Sequence, residues 1–293
     1  EESGIQVGSE KIRDHLLKTG FKVLGEQVFF PSSKVKEAIS APPDTIELWD
    51  RNGKVEIWGK GQAKTLAGIG VTNLKYQEPE TDEIVPYNLE NFRKCILLGN
   101  SLEQYEIIST PGILQEESEV PNDMLQFAEM LAYTKKPLML LVSDEKFTSK
   151  ILDIYSAILQ EVQIQSVCLY VNPISPMKIP KETVIRIEAA LENDIPLVYS
   201  AYSMMGATSP IRPEAAFVMH LAELLAGLTI IQTLKPGHPV ALGMLPARFD
   251  MQAMVGFYDY TSFQINLGCL EVMEHLGIPH AGTSGSVNDG GWI

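Results

Sequence analysis

Short apolar runs bounded by turn residues recur at roughly 30–40-residue intervals, the spacing of a strand–helix unit, through the last two thirds of this 293-residue chain. They fall at Tyr105–Ser109, Pro137–Val142, Val167–Val171, Pro196–Ser200, Pro239–Gly243 and Ile278–Ala281. Between them the apolar residues switch to helical spacing, over Asn122–Thr134, Lys146–Gln160, Lys181–Glu192, Pro213–Leu234 and Ser262–Leu276. Pro213 stands where proline suits a helix start, and Pro236-Gly237 stops that helix. Strands that are apolar throughout must be covered on both faces, so the pattern implies a parallel sheet sheathed by helices. No dinucleotide fingerprint follows the first strand, which favours a (β/α)8 barrel over a doubly wound sheet. The expected fold class is therefore α/β, a TIM-type barrel of about six units over residues 101–293. A full barrel takes ~250 residues, so the last units are expected to lie outside this chain.

Residues 1–100 have a different texture and are read as a small N-terminal α+β module. Lys11–Thr19 carries a helical pattern ending near Gly20, Val28-Phe29-Phe30 is a short strand, and a small helix runs from Ser32 or Ser33 to Ile39. Thr45–Trp49 and Val55–Trp58 alternate across Asp50-Arg51-Asn52-Gly53, the pattern of a hairpin with an Asn-Gly turn.

Charge narrows the function classes. Lys and Arg number 23 against 37 Asp and Glu, a net charge of −14, which argues against a nucleic-acid groove or an anionic membrane surface. Apolar residues at 45% exclude a disordered chain. The most apolar stretch, Ala215–Ile231, is interrupted by His220 and Glu223, so no membrane span is expected. Glu1-Glu2-Ser3 resembles no signal peptide, and the missing initiator Met is expected of a fragment. Cys95, Cys168 and Cys269 are odd in number and far apart, which points away from a disulfide framework and towards the cytoplasm.

Several catalytic patterns are missing. Gly59-Lys60-Gly61-Gln62-Ala63-Lys64-Thr65 lacks the spacing of a phosphate loop and reads as a turn. Gly282-Thr283-Ser284-Gly285 misses the nucleophile elbow by one residue, and the five histidines have no metal-ligand spacing, so no metal is expected. In a barrel the reacting groups sit at the C-terminal ends of the strands. Those positions here are Thr110, Ser143-Asp144, Asn172, Tyr202–Gly206, Met244–Asp250 and His280–Thr283. They are rich in aromatics, amides and Met but poor in paired carboxylates, so acid–base or covalent hydrolysis is not indicated and no catalytic residue is assigned.

Four stretches, in this order, resemble a known family. Ser200-Ala201-Tyr202-Ser203-Met204-Met205-Gly206-Ala207-Thr208-Ser209-Pro210 is followed by Ala222-Glu223-Leu224-Leu225-Ala226-Gly227-Leu228 through Gln232, then Lys235-Pro236-Gly237-His238-Pro239-Val240. Together with Ala281-Gly282-Thr283-Ser284-Gly285, this order resembles the trimethylamine methyltransferase family, and the first hundred residues resemble its N-terminal module more loosely. The resemblance implies a barrel that moves a methyl group from a methylamine or a quaternary amine such as glycine betaine to cobalt, as in methanogenesis-type one-carbon metabolism. The corrinoid that carries the cobalt would arrive on a partner protein, since the Asp-x-His-x-x-Gly pattern of a corrinoid module is missing and Asp14 directly abuts His15. Trimethylamine-type members carry pyrrolysine after the Gly-Thr-x-Gly loop, and betaine-type relatives lack it. Here Val287-Asn288-Asp289-Gly290-Gly291-Trp292-Ile293 follows that loop without the family's Asp-x-Lys continuation, which leans towards the betaine type. The alternatives are a trimethylamine enzyme with pyrrolysine beyond residue 293 and a non-catalytic barrel that binds quaternary amines. A homo-oligomer is expected.

On that reading Tyr202 and Phe249 line a cation box, or pack beneath loops. Arg248 binds a substrate carboxylate, or forms a surface ion pair. Asn172 and Thr283 orient a substrate oxygen. His280 meets the corrinoid, or bonds locally at its strand end.

Overall fold

A computed structural model describes residues 3–62, 65–69, 73–159 and 165–282. The N-terminal part opens with β1 (Ile5–Val7), α1 (Glu10–Lys18), β2 (Lys22–Leu24), β3 (Gln27–Phe29) and α2 (Ser32–Ile39). Next come the hairpin β4 (Thr45–Trp49) and β5 (Val55–Gly59), then β6 (Gly68–Ile69), β7 (Lys75–Gln77) and β8 (Ile84–Pro86). After α3 (Leu89–Ser101) the chain settles into alternation: β9 (Ile107–Ser109), α4 (Asn122–Tyr133), β10 (Leu138–Leu140), α5 (Thr148–Leu159) and β11 (Val167–Val171). It continues with the two-residue β12 (Lys178–Ile179), α6 (Lys181–Glu192), β13 (Leu197–Met205), α7 (Pro213–Leu234), β14 (Val240–Asp250), β15 (Val255–Phe257) and α8 (Tyr260–Leu276).

One seven-stranded sheet, in the order β15-β14-β13-β11-β10-β9-β6, carries the fold. Six strands, β6 to β14 in that order, run parallel, and only β15 is antiparallel. A further parallel bridge joins Leu242 to His280, where the sequence pattern had put its last strand. Alternating strands and covering helices thus form a curled half-barrel, as the apolar runs imply. Strand pairing crosses residue 100: β6 joins the barrel sheet, β1 pairs in parallel with β12, and a parallel bridge joins Asn73 to Gly112.

The two longest strands outrun their apolar cores. β13 was expected to stop at Ser200 and β14 at Gly243, yet they continue to Met205 and Asp250, paired residue for residue from Leu197↔Val240 to Met205↔Arg248. Tyr202, Arg248 and Phe249 therefore sit on strands rather than in loops. The helix expected from Ser262 begins at Tyr260, because Asp259 caps it: its carboxylate accepts from the Ser262 backbone N–H at 3.0 Å.

Two apolar cores lie on either side of the sheet. The outer one joins strand residues such as Leu169, Tyr199 and Leu242 to Leu224, Leu228 and Ile231 of α7. α7 is long and apolar enough to cross a membrane, but it packs between the sheet and α2 with His220 and Glu223 buried, which is how a helix apolar all round behaves in a core. The inner core is built from Ile107, Cys168, Val198 and Ala241 together with Ile46 and Leu48 of the hairpin. That hairpin plugs the N-terminal end of the curled sheet. Trp49 N–H donates to the Gln165 carbonyl at 2.7 Å and Arg51 N–H to the Lys135 carbonyl at 2.8 Å, just ahead of β11 and β10. Trp58 Nε1 reaches the His280 carbonyl at 2.7 Å, so the plug also grips the last strand position.

Candidate functional site

Side chains alternate across a strand, so the inner core fixes which residues of each strand look into the lumen. Counting up from Cys168, Val198 and Ala241, the lumen faces are Tyr170 and Asn172 on β11 and beyond, Ser200, Tyr202 and Met204 on β13, and Gly243, Leu245, Ala247 and Phe249 on β14. β9 and β10 add Ser109, Met139 and Leu141. None of these side chains is charged. The C-terminal mouth is lined by phenols, a phenyl ring, a thioether, an amide and hydroxyls.

The same count separates the residues singled out from the sequence. Tyr202 and Phe249 share the lumen face, and exposed Asn172 stands at its rim. Arg248 pairs in register with buried Met205 and so faces the helices, where its Nη1 lies 3.1 Å from Asp259 Oδ2. His280 pairs with Leu242 and likewise looks outward, against Asn266 of α8. Its Nε2 is buried without a partner among the described residues, and burial lowers its pKa to about 4. Thr283 lies outside the described residues. Met205 is core, whereas Met204 borders the lumen.

Two lumen tyrosines escaped the sequence reading. Tyr170 sits in the middle of an apolar run and Tyr258 in a link between β15 and α8, so neither belongs to a strand-end loop. Burial pushes the Tyr170 phenol well above its ordinary range, with the neighbouring Ser200 hydroxyl pulling the other way. Burial takes Tyr258 up to about 12, helped by Tyr202 beside it, and burial raises Tyr202 as well. All three therefore stay neutral at physiological pH, presenting ring faces and hydroxyls rather than phenolates. The period-two pattern of the strand was the signal that would have found Tyr170.

Asp259 is held below the ordinary carboxylate range: burial pushes it up, but the Ser262 N–H and Arg248 outweigh that. The pair is structural in geometry, tying β14 to the cap of α8. A cleft of about 470 Å³ lined by Asp50, Asn52, Asn100, Tyr133, Thr134, Lys135 and Lys136 lies at the other end of the strands, beside the plug, and carries none of these groups.

An uncharged aromatic lumen can hold a cation that offers no hydrogen to donate. Ring faces attract such an ion by about 0.5–2 kcal/mol each, more when water is excluded. It is poorly equipped for proton transfer, because the strand residues that face it include no carboxylate or histidine; the buried Glu56, opposite Leu48 on the plug, is paired with Lys54 at the far end.

The sequence profile of the trimethylamine methyltransferase (MTTB) family matches residues 1–288. Trimethylamine methyltransferase MttB1 of Methanosarcina mazei is 24% identical over 263 residues, covering 85% of this chain and 52% of that protein. Glycine betaine methyltransferase of Desulfitobacterium hafniense is 22% identical over 261 residues, 86% of this chain and 53% of that protein. Proline betaine:corrinoid methyltransferase of Eubacterium limosum is 21% identical over 275 residues, 86% of this chain and 54% of that protein. The chain thus spans about half the length of the curated relatives it matches. The crystal structure of the Methanosarcina barkeri monomethylamine methyltransferase (MtmB) superimposes with a TM-score of 0.62 at 10% identity, over 97% of this chain and 63% of that one, a likeness of fold.

Proposed function

The chain belongs to the trimethylamine methyltransferase family, and from that premise we propose that it binds a quaternary or tertiary amine for methyl transfer to the cobalt of a corrinoid on a separate protein. The observation that carries this reading is the uncharged, aromatic lumen face, with Tyr202 and Phe249 towards the mouth and Tyr170 below them in the layer of Val198 and Ala241. Those residues suit a methylated ammonium, and the exposed Asn172 at the rim, with the buried Ser200 hydroxyl below Tyr202, suits its oxygen-bearing end. The mouth also fits a donor brought from outside, since Asn172 is exposed and Tyr202 is 37% exposed at the lumen rim.

A corrinoid on its partner would supply the nucleophile, so the hard step would belong to the cofactor. What the chain's own residues do is hold and orient. The aromatic faces fix the ammonium, the strand ends aim one methyl group outward, and the plug of Ile46, Leu48 and Trp58 closes the far end to water. A quaternary amine leaves as a neutral amine, so no acid is needed to expel it, in keeping with strand faces that carry none at the mouth.

Within the family we read the substrate as a betaine, glycine betaine being the first candidate. Arg248 is engaged by Asp259, so the betaine carboxylate falls to neutral donors at the rim rather than to a guanidinium. The test is to mix the full chain with glycine betaine, trimethylamine or choline and a reduced corrinoid protein, and to follow the cobalt absorbance. Methylation that requires both amine and chain supports the reading. Tight amine binding with no methylation in any mixture leaves a binding protein instead.

A further inference from the structure

β14 and β15 form a hairpin whose second strand folds back over the lumen face. Phe249 is opposite Gly256, and Arg248 is opposite Phe257. A side chain begun at Gly256 would stand 3.1 Å from Met204 Sδ and 3.4 Å from Tyr202 Oη, so the β15 backbone lies against both residues on the lumen face. Two residues later Tyr258 comes beside Tyr202. Asp259 follows at once, and its carboxylate returns to Arg248 at 3.1 Å, so an ion pair clasps the base of the hairpin on either side of Phe257-Tyr258.

We propose that this hairpin is the wall that sets the aperture of the ammonium pocket. Gly256 and Tyr258 face the ligand, and Arg248 with Asp259 holds the wall in place; the proposal rests on the amine reading above. Arg248 is then a positioning residue that acts through Tyr258, not a ligand for a substrate carboxylate. The bare Gly256 matters because a methyl there would stand 3.1 Å from Met204 Sδ, so the thioether would have to shift by a few tenths of an ångström on the lumen face, beside Tyr202. Tyr258 matters because a cation between two or three rings is held by each of them.

Calorimetry on the full chain with tetramethylammonium, glycine betaine and choline tests this. Losing one ring should weaken tetramethylammonium by about 2–30-fold in Tyr258→Ala, while Tyr258→Phe, which keeps the ring, should bind like the wild type. Gly256→Ala should also weaken all three ligands. Arg248→Ala should lose about 2–5-fold, equally for betaine and choline, with Arg248→Lys restoring most of it, because a partly exposed ion pair is worth little more than that. In a Tyr258→Ala background Arg248→Ala should then do nothing further. Unchanged binding in Tyr258→Ala overturns the wall. A loss confined to betaine in Arg248→Ala, or one that persists without Tyr258, overturns the positioning role. A wild-type chain that binds none of the three ligands brings down the amine reading together with the inference.

Discussion

At the scale of single residues, the tightest constraint is the contact between Tyr199 and Gly227. A Cβ at Gly227 would sit 2.2 Å from Tyr199 Cζ, and the tyrosine is fully buried, so the ring cannot step aside. Alanine is favoured over glycine in a helix by about 1 kcal/mol, which by itself predicts a stabilising change. Overpacking a core costs about 1–3 kcal/mol, and an approach this close to a fixed ring belongs at the upper end. Gly227→Ala should therefore lower stability by about 1–2 kcal/mol net, read as a lower urea midpoint at unchanged slope. Tyr199 also carries its hydroxyl into that contact with no hydrogen-bond partner among the described residues. Tyr199→Phe should be neutral or stabilising by about 1 kcal/mol, since it removes a buried polar atom and keeps the ring. Gly227 lies within the family-like Ala-Glu-x-Leu-Ala-Gly stretch, so the sequence flagged the residue without giving its reason, which is a ring from a strand 28 residues earlier.

Elements differ in how plainly the sequence announced them. Lys181–Glu192 and Pro213–Leu234 come out with the expected bounds because a proline stands at or just before each start and the apolar spacing is long. β6, β12 and β15 were invisible, being two or three residues long with no room for a period. β13 and β14 were cut short because their far halves mix polar, sulfur-bearing and apolar residues. Those halves border the lumen, where packing against helices no longer dictates an apolar side chain on both faces. The Asp50–Gly53 hairpin was legible from its turn, but nothing in the turn says where the hairpin docks. Its docking as a plug hangs on Trp58, whose indole N–H is the donor for the His280 carbonyl. Trp58→Phe keeps most of the ring and leaves that carbonyl unpaired, which should cost about 1–3 kcal/mol. If the midpoint of urea unfolding does not move, the plug is held by its apolar contacts and its backbone bonds alone.

For the whole molecule, the sequence carried the alternation and the family-like order, while the membership of the lumen needed the register. Arg248, Phe249 and Tyr202 looked equivalent in the sequence, yet one residue of strand parity sends Arg248 to the helices and the other two to the mouth. A different whole-molecule property follows from burial. His220 on α7, fully buried against Ser203 Oγ at 2.5 Å, has its pKa lowered by burial to about 4. Burial lowers His238, ahead of β14, to about 4 as well, although the Ile195 carbonyl favours its charged form. In the unfolded chain both titrate near 6.5. Between pH 6.5 and 4 the unfolded state thus binds protons that the fold refuses, so stability is complete above about 6.5 and falls as pH drops through that window. Each fully buried histidine contributes about 3 kcal/mol over the window, and half-buried His280 less. Glu223 opposes this, because burial raises its carboxyl despite the Met177 N–H and Ser175 Oγ bonded to it, and it gains stability as it takes up a proton. That is one proton against two or three. Protonating surface carboxylates also relieves the repulsion of a net charge of −14, but screened surface charges act weakly. The histidines win, and urea midpoints should fall steadily from pH 7 to pH 4.5. His220→Gln, which can keep a hydrogen bond to Ser203 and does not titrate, should remove about one proton from the slope. A midpoint that stays level or rises over that range would mean the histidines take up protons in the folded state, and that the core around α7 admits water.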